Sequence, residues 1–354
     1  MMRHNIFTLN TLRGHFNFAS LAVLACVAIL SLSSCNVEEF PHPVGPEQPK
    51  MVNFRLNLEY ITEMPIYKDI TITRDGGYDL RYQINAYRMK EDGSYDYSEP
   101  SNSFVYFNSD IDRMDRTCDI ELPEGTYQFY VFTDYVASNH TDLFYNTSNF
   151  NGISLTTPHV GSNDYRDCFR GMVEADVVQD GEATVEDTRP VGKYLLISED
   201  AKEFITRMIE RYSLRGEQVD PDAVNDITKF DLNDFTVNVI YQMYMPSEFN
   251  MFSNRAVDSS VGVRYTSKMQ VINADEVSLA FDYVFCNTSE TRVNIVIQVT
   301  ENATGEVVST TPSIEVPMMR SQLTVIRGDF LTSESSPGIG IDPSFDGEFN
   351  IEIL

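Results

Sequence analysis

Several segments of the chain alternate apolar and polar residues with a period of two. Phe54–Tyr60 places Arg55, Asn57 and Glu59 between its apolar residues, and Leu80–Ala86 follows the same rule. Successive side chains of a β-strand point to opposite faces, so this pattern is typical of strands buried on one side. The chain therefore begins its folded part with half-buried strands.

Other segments predict strands because they are rich in β-branched and aromatic residues. They are Thr126–Thr133, Val191–Ile197, Thr236–Tyr241, Val277–Phe285 and Val293–Val299. Leu122–Gly125 is a turn before the first of these, and Asn302–Gly305 is a turn after the last. Together these segments indicate an all-β protein.

One segment has the periodicity of a helix. Ser198 is suited to cap its N-terminus, and Gly216 is suited to end it. The apolar residues between them recur at spacings of three and four, which puts them on one helical face. They are Phe204, Ile205, Met208, Ile209 and Tyr212.

Antiparallel strands with a single helix favour two β-sandwich domains in tandem. The acidic, turn-prone stretch Glu186–Pro190 precedes a fresh apolar strand and marks the expected boundary. We therefore predict an N-terminal domain over residues 51–188 and a C-terminal domain over residues 189–354.

The first 35 residues have the features of a bacterial lipoprotein leader. The apolar run Leu21–Leu30 is shorter than the roughly 20 residues that cross a bilayer. It follows a weakly basic start and precedes Leu32–Cys35, which resembles a lipobox. We predict a signal peptide over residues 1–34 and lipid on Cys35; the alternative is an ordinary signal peptide with an incidental cysteine.

Residues 35–50 are predicted to be a linker that lifts the folded part off the lipid. Phe40–Pro49 contains four prolines, which favour an extended chain outside any sheet. Glu38 and Glu39 resemble a surface-export signal, so we expect display on the outer face of the cell outer membrane. Ordinary linker charge is the alternative interpretation of these two glutamates.

The charge of the chain narrows the class of partner. The net charge is −27, and the leader contains none of the 53 acidic residues. Such an excess argues against nucleic acid, whose phosphates need cationic neutralisation, and against lying on anionic lipid. It suits an exterior domain that is held off the membrane.

The second half resembles a known family of surface lipoproteins. The resemblance rests on Met245–Phe252, Phe281–Phe285, Leu323–Thr332 and Gly338–Ile353, with Glu121–Phe132 in the first half. These segments are similar to the fimbrillin-like lipoproteins of Bacteroides-type bacteria, which include fimbrial subunits and minor-fimbria anchors. The match covers most of the mature chain in layout and is specific in its C-terminal third.

This resemblance implies two transthyretin-like β-sandwich domains and a role as a fimbrial (pilus) subunit, anchor or adhesin. It implies acyl chains such as palmitate on Cys35 that enter outer-membrane lipid. It also implies assembly with other fimbrial subunits by β-strand addition, and contact with host or bacterial surface ligands. Subunits of the family lose an N-terminal strand after an arginine; Arg74 fits best, although it also fits a plain hairpin turn. The C-terminal Gly347–Leu354 is either the last strand of its own domain or a segment offered to a neighbour.

Glycan binding in a polysaccharide-uptake system is the alternative function. Tyr135, Tyr145 and Tyr165 fall in polar, loop-like surroundings within the long region 134–167. A loop of that length is unusual in a compact domain. We therefore predict a ligand or adhesion surface on these tyrosines, and the other interpretation is loop tyrosines without a partner.

The remaining motifs give no catalytic residue, cofactor or metal site, and we expect no enzyme. Neither Asp110–Asp115 nor Asp342–Glu348 has the ligand spacing of a calcium loop, so solvated loop acids are expected. Of the cysteines left after the leader and the lipid site, Cys118 and Cys168 are able to form one bridge. Cys286 lies in an apolar run and is expected to be a buried small hydrophobe.

Replacing the lipid site tests the lipoprotein assignment. Cys35→Ala should release soluble protein, because the thiol that carries the lipid is gone. Phase partitioning in detergent measures this, with the wild-type chain as control. Unchanged partitioning of the variant into the detergent phase would contradict the assignment.

Overall fold

The computed structural model describes residues 50–62, 77–333 and 350–353. The leader, Cys35, the linker, Arg74 and the acidic segment Asp342–Glu348 lie outside the described residues. Residues Lys50–Leu354 belong to one compact unit. The domain boundary at residue 188 stays a prediction.

The first half of the described chain is built from nine strands. They are β1 Met51–Tyr60, β2 Tyr78–Arg88, β3 Asn102–Asn108, β4 Arg116–Pro123, β5 Gly125–Ala137, β6 Tyr145–Asn146, β7 Ile153–Leu155, β8 Cys168–Val177 and β9 Gly181–Asp187. A short 3-10 helix, Asp164–Arg166, precedes β8.

The second half contributes twelve more strands and an α-helix within the described residues. They are β10 Val191–Ser198, α1 Ala201–Leu214, β11 Phe235–Tyr241, β12 Met245–Asn250, β13 Arg255–Ser260, β14 Arg264–Ser267, β15 Gln270–Val271, β16 Val277–Phe285, β17 Thr291–Glu301, β18 Val307–Thr310, β19 Ile314–Met318, β20 Leu323–Gly328 and β21 Asn350–Ile353. Three 3-10 helices connect α1 to β11: Pro221–Val224, Ile227–Lys229 and Leu232–Asp234.

The first sandwich packs a three-stranded sheet, in the order β4-β1-β9, on a four-stranded sheet, in the order β3-β2-β5-β8. Alternation along β1 explains the packing: its inward side chains are at most 2% exposed, whereas the side chains between them face outward. The inward residues are Val52, Phe54, Leu56 and Leu58. The period-two pattern thus predicted both this strand and its buried face.

The second sandwich packs sheet β15-β16-β10-β20-β21 on sheet β14-β11-β17-β18, with β19 also on β17. Helix α1 places Phe204, Ile205 and Met208 in the core of this sandwich. The chain is therefore all-β with one α-helix in its described part, as the sequence predicted.

The two sandwiches repeat one strand arrangement. Strand β1 pairs antiparallel with β4 and parallel with β9. In the same way β10 pairs antiparallel with β16 and parallel with β20. Strand β21 then pairs antiparallel with β20, so the C-terminal segment is the last strand of its own sheet, which was one of the two alternatives.

A further sheet joins the two halves. Its order is β13-β12-β7-β6, and the pair Phe249↔Ile153 links a strand of the second half to one of the first. The strands β6 and β7 lie in the region 134–167 that the sequence left irregular. Most of the region between β5 and β8 is irregular, as expected, and the exceptions are β6, β7 and the short 3-10 helix. The pairing of β7 with the distant strand β12 is not revealed by local patterning.

The start of α1 differs from the sequence-based expectation, and its end agrees with it. The N-cap of α1 is Asp200 instead of Ser198. The Ser198 hydroxyl donates a hydrogen bond to the Asp200 carboxylate and accepts hydrogen bonds from the backbone N–H groups of Phe330 and Leu331. Gly216 follows the end of α1 with φ +78°, as predicted. The serine was misassigned because its partners come from a distant loop.

The cysteines of the described part are all buried. Cys118 and Cys168 are both free, so the bridge that the sequence allowed between them is not formed. Cys286 is fully buried, which confirms its prediction as a small core hydrophobe.

A side chain at Gly192 should destabilise the fold. A Cβ there would lie 2.4 Å from the carbonyl oxygen of Met319, and backbone cannot yield easily. Gly192→Ala should therefore cost roughly 1–3 kcal/mol in the free energy of unfolding, as overpacked sites do. Urea unfolding measures it.

The matched control is Gly152→Ala. Its Cβ would meet the Glu248 carboxylate at 2.8 Å, which is the end of a flexible side chain. This variant should stay close to wild type. Equal stability of Gly192→Ala and wild type would contradict the close backbone approach.

Candidate functional site

A buried cluster of charges fixes the segment before β8 to the second sandwich. Arg166 Nε lies 2.9 Å from Asp282 Oδ1, and His159 Nε2 lies 2.7 Å from Asp282 Oδ2. Both Arg166 and Asp282 are at most 1% exposed. Burial alone would raise the pKa of Asp282, but Arg166 and His159 outweigh it and hold that pKa below its ordinary value.

Tyrosine hydroxyls complete this buried network. Tyr241 donates to Asp282 at 2.7 Å, and its hydroxyl lies 3.0 Å from that of Tyr194. Tyr194 in turn lies 3.0 Å from Tyr265, which donates to the Phe281 carbonyl. Burial raises the pKa of each of these three phenols well above its ordinary value, so the phenols stay protonated. The network is closed to solvent and positions its neighbours rather than binding a ligand itself.

The fixed segment forms one side of an open cleft of about 880 Å³. The end of β1, the loop between β3 and β4, and the start of β10 form the other sides, together with residues of β16 and β20. Clefts of this size are typical of small-molecule sites. This cleft is the candidate functional site.

Lys193 lies at the centre of the cleft wall. Its Nζ is 2.6 Å from Asp164 Oδ1 and lies 4.2 Å from the centre of the Phe281 ring. Tyr283 donates to the same oxygen of Asp164 at 3.0 Å. The ammonium is therefore held by one carboxylate and by the face of an aromatic ring.

A second ion pair closes the end of the cleft. Arg189 holds Asp167 at 2.8 Å and also donates to the carbonyl of Thr62, the residue at which this part of the described chain ends. Burial raises the pKa of Asp167 above its ordinary value, although Arg189 opposes this. The cleft is thus lined by polar side chains that already hold one another in place.

The three predicted tyrosines are buried rather than exposed. Tyr135 and Tyr165 are 7% exposed and Tyr145 is fully buried. The expectation that they lie in an open polar loop was wrong, because the region around them packs between the two halves. Tyr135 and Tyr165 nonetheless line the cleft, whereas Tyr145 donates to the Arg166 carbonyl. Their role in ligand binding stays a prediction.

Sequence reasoning missed the residues that build the site. Asp282 carried a signal, because an acidic residue inside the apolar run Val277–Phe285 needs a partner if it is buried. Arg166 is that partner, but nothing in the spacing identifies it. Lys193 likewise interrupts the apolar strand Val191–Ile197, and its partner Asp164 lies in a loop of the first half.

The described part of the chain shows neither a metal-ligand cluster nor a membrane-spanning helix. No group of three or more His, Cys, Asp and Glu side chains there could hold a metal ion. The one α-helix described is too short and too polar for a membrane span.

Comparison with known proteins identifies the family. A family of unknown function, DUF6562, matches residues 46–353. The chain belongs to this family. The match includes both sandwiches and the cleft of this DUF6562 protein. The search of curated proteins found no match.

The solved structures to which this chain is similar include proteins from Bacteroides and Parabacteroides. A candidate cell-adhesion protein from Bacteroides ovatus is 11% identical with a TM-score of 0.43, covering 86% of this chain and 97% of that one. A fimbrial assembly protein from Parabacteroides distasonis is 10% identical with a TM-score of 0.41, covering 86% and 99%. A candidate polysaccharide-binding protein from Bacteroides thetaiotaomicron is 12% identical with a TM-score of 0.38, covering 73% and 79%. Such values assign no function to this DUF6562 protein.

Removing the buried carboxylate should be strongly destabilising. Asp282→Asn leaves Arg166 buried without its counter-charge, which should cost about 3–5 kcal/mol in the free energy of unfolding at pH 7. Because the pKa of Asp282 is lower in the folded protein than its value of about 4 in the unfolded chain, the ionised carboxylate stabilises the fold above pH 4. This stabilisation is lost as the pH falls through the pKa that Asp282 has in the folded protein. The difference in the free energy of unfolding between wild type and variant should therefore be smaller at pH 3 than at pH 7.

Urea unfolding at pH 7, 4 and 3 measures this gap. Asp119→Asn is the matched control, because Asp119 pairs with Arg55 at 3.0 Å on the surface. An exposed pair should contribute only about 0–1 kcal/mol. Equal effects of the two variants would refute the structural role of the buried cluster.

Proposed function

We propose that this protein is a surface lipoprotein that acts as a fimbrial subunit, anchor or adhesin and assembles by β-strand addition. The proposal joins the lipobox and the family resemblance in the sequence to one feature of the fold. That feature is the position of β1, the first described strand, between two other strands.

The pairing of β1 is what carries the proposal. Residues Met51–Leu58 pair with β4, and residues Phe54–Tyr60 pair with β9. Without β1, both neighbours would lose their backbone partners, and the groove left by its four inward side chains would be apolar. Unpaired N–H and C=O groups beside such a groove bind an added strand.

The C-terminal segment has the pattern that such a groove needs. Phe349, Ile351 and Ile353 alternate with polar residues, as Val52, Phe54, Leu56 and Leu58 do in β1. Among the described residues, strand β21 pairs with β20 alone, through the four residue pairs from Thr324↔Ile353 to Arg327↔Asn350. An edge strand of that length has few backbone hydrogen bonds to break before it can pair with another subunit.

Cleavage after Arg74 would separate β1 from β2 and start assembly. Cleavage there would also release the folded part from the lipid on Cys35, because Cys35 and β1 both lie before residue 74. An anchor would instead keep β1 and the lipid. The proposal therefore distinguishes a polymerising subunit from an anchor by whether Arg74 is cut.

The test uses the purified mature chain and an arginine-specific protease. Cutting at Arg74 should convert monomers to oligomers that exclude β1, and size exclusion with light scattering measures their mass. Arg74→Ala should remain monomeric under the same treatment. Ile351→Asp combined with Ile353→Asp should be cut but should not assemble, because the donated strand loses its apolar face.

The matched control for the donor strand replaces its polar residues instead of its apolar ones. Asn350→Asp combined with Glu352→Asp keeps the apolar side of the segment and should still assemble. Monomers that stay monomeric after complete cleavage and loss of β1 would refute strand addition.

A further inference from the structure

The cleft beside Lys193 adjoins the groove that β1 occupies, because Asn57–Tyr60 at the end of β1 form one of its sides. Lys193, Asp164 and Phe281 lie on other sides of the cleft, and the pairing of β1 with β4 and β9 does not involve them. The polar side chains of the cleft come from both halves of the chain, which are held together by the Arg166–Asp282 pair. The walls of the cleft therefore come from elements of both halves of the chain.

The charges that line the cleft nearly cancel. Five lining residues are acidic: Glu59, Asp112, Asp115, Asp164 and Asp167. Four lining residues are basic: Arg113, Arg116, Arg189 and Lys193. In a chain of net charge −27, this balance leaves the cleft close to neutral. A near-neutral cleft favours neither an anion nor a cation, so its polar groups suit an uncharged polar ligand.

The ion pair at the centre supplies both kinds of hydrogen-bonding group. The Lys193 ammonium has three N–H donors, and the Asp164 carboxylate has further lone pairs beside those that accept Lys193 and Tyr283. Both side chains are partly exposed, at 16% and 22%. Neighbouring hydroxyl groups on one molecule can accept from the ammonium and donate to the carboxylate at the same time.

An aromatic ring lies next to this pair. Phe281 is half-buried, and its ring centre is 6.5 Å from that of Tyr283. Sugar rings carry hydroxyls at their edges and apolar C–H groups on their faces, so they match a polar pair beside an aromatic surface. Pockets that combine aromatic walls with a few fixed polar groups are typical ligand sites.

We propose that this cleft binds an uncharged saccharide, with Lys193 and Asp164 holding its hydroxyls and Phe281 contacting its apolar C–H groups. The inference deepens the adhesin role and rests on the cell-surface location proposed above. It does not rest on strand addition, so Arg74→Ala, which stays monomeric, is the protein used to test it.

The test is a printed array of neutral, sialylated and sulfated glycans, followed by calorimetry with the neutral glycan that binds best. Lys193→Gln and Phe281→Leu should each weaken binding at least about tenfold, a loss that calorimetry resolves. Lys229→Gln is the matched control, because Lys229 pairs with Asp222 at 3.5 Å outside the cleft. It should bind as the parent does.

Thermal melting checks that each variant is folded before binding is measured. Selective loss in Lys193→Gln and Phe281→Leu supports the proposal. Absence of any bound neutral glycan on the folded parent overturns it, and so does binding of charged glycans alone. Equal binding by Lys193→Gln and Lys229→Gln places the site elsewhere and also overturns it. None of these outcomes alters the cleavage experiment, so the two proposals fail separately.

Discussion

The Arg166–Asp282 ion pair is the interaction on which the rest of the site depends. A buried charge without a counter-charge is strongly unfavourable, so Asp282 requires the segment that carries Arg166 and His159. That segment also carries Asp164 and Asp167. Once it is fixed, those two carboxylates stand opposite Lys193 and Arg189, and the cleft between the halves is formed.

Around this junction the molecule uses one strand arrangement twice. A central strand, β1 or β10, pairs antiparallel on one side and parallel on the other. The second sandwich adds β21 outside its parallel strand, whereas β9 is the last strand of the corresponding sheet in the first sandwich. The two ends of the described part thus lie in strands, one central and one at an edge.

Charge is distributed unevenly over this fold. The chain as a whole is strongly acidic, which suits an exterior protein that avoids anionic surfaces. The cleft is an exception, since five acidic and four basic side chains line it, and Asp164 and Asp167 contact Lys193 and Arg189 directly. The overall charge and the charge of the cleft therefore differ: the chain as a whole is strongly acidic, and the cleft is close to neutral.

The sequence by itself determined the most strongly patterned strands, the helix and the buried face of β1, because period-two and helical spacing follow from backbone geometry within a few residues. The leader predicted a lipoprotein, and the acidic charge of the chain predicted an exterior domain. The tertiary structure alone decided which residues meet: it buried Tyr135, Tyr145 and Tyr165, paired β7 with β12, gave Asp282 the partner Arg166 and placed Lys193 beside Asp164. These contacts join residues far apart in the chain, and a local pattern carries no information on which distant side chain will satisfy a buried charge or an unpaired strand.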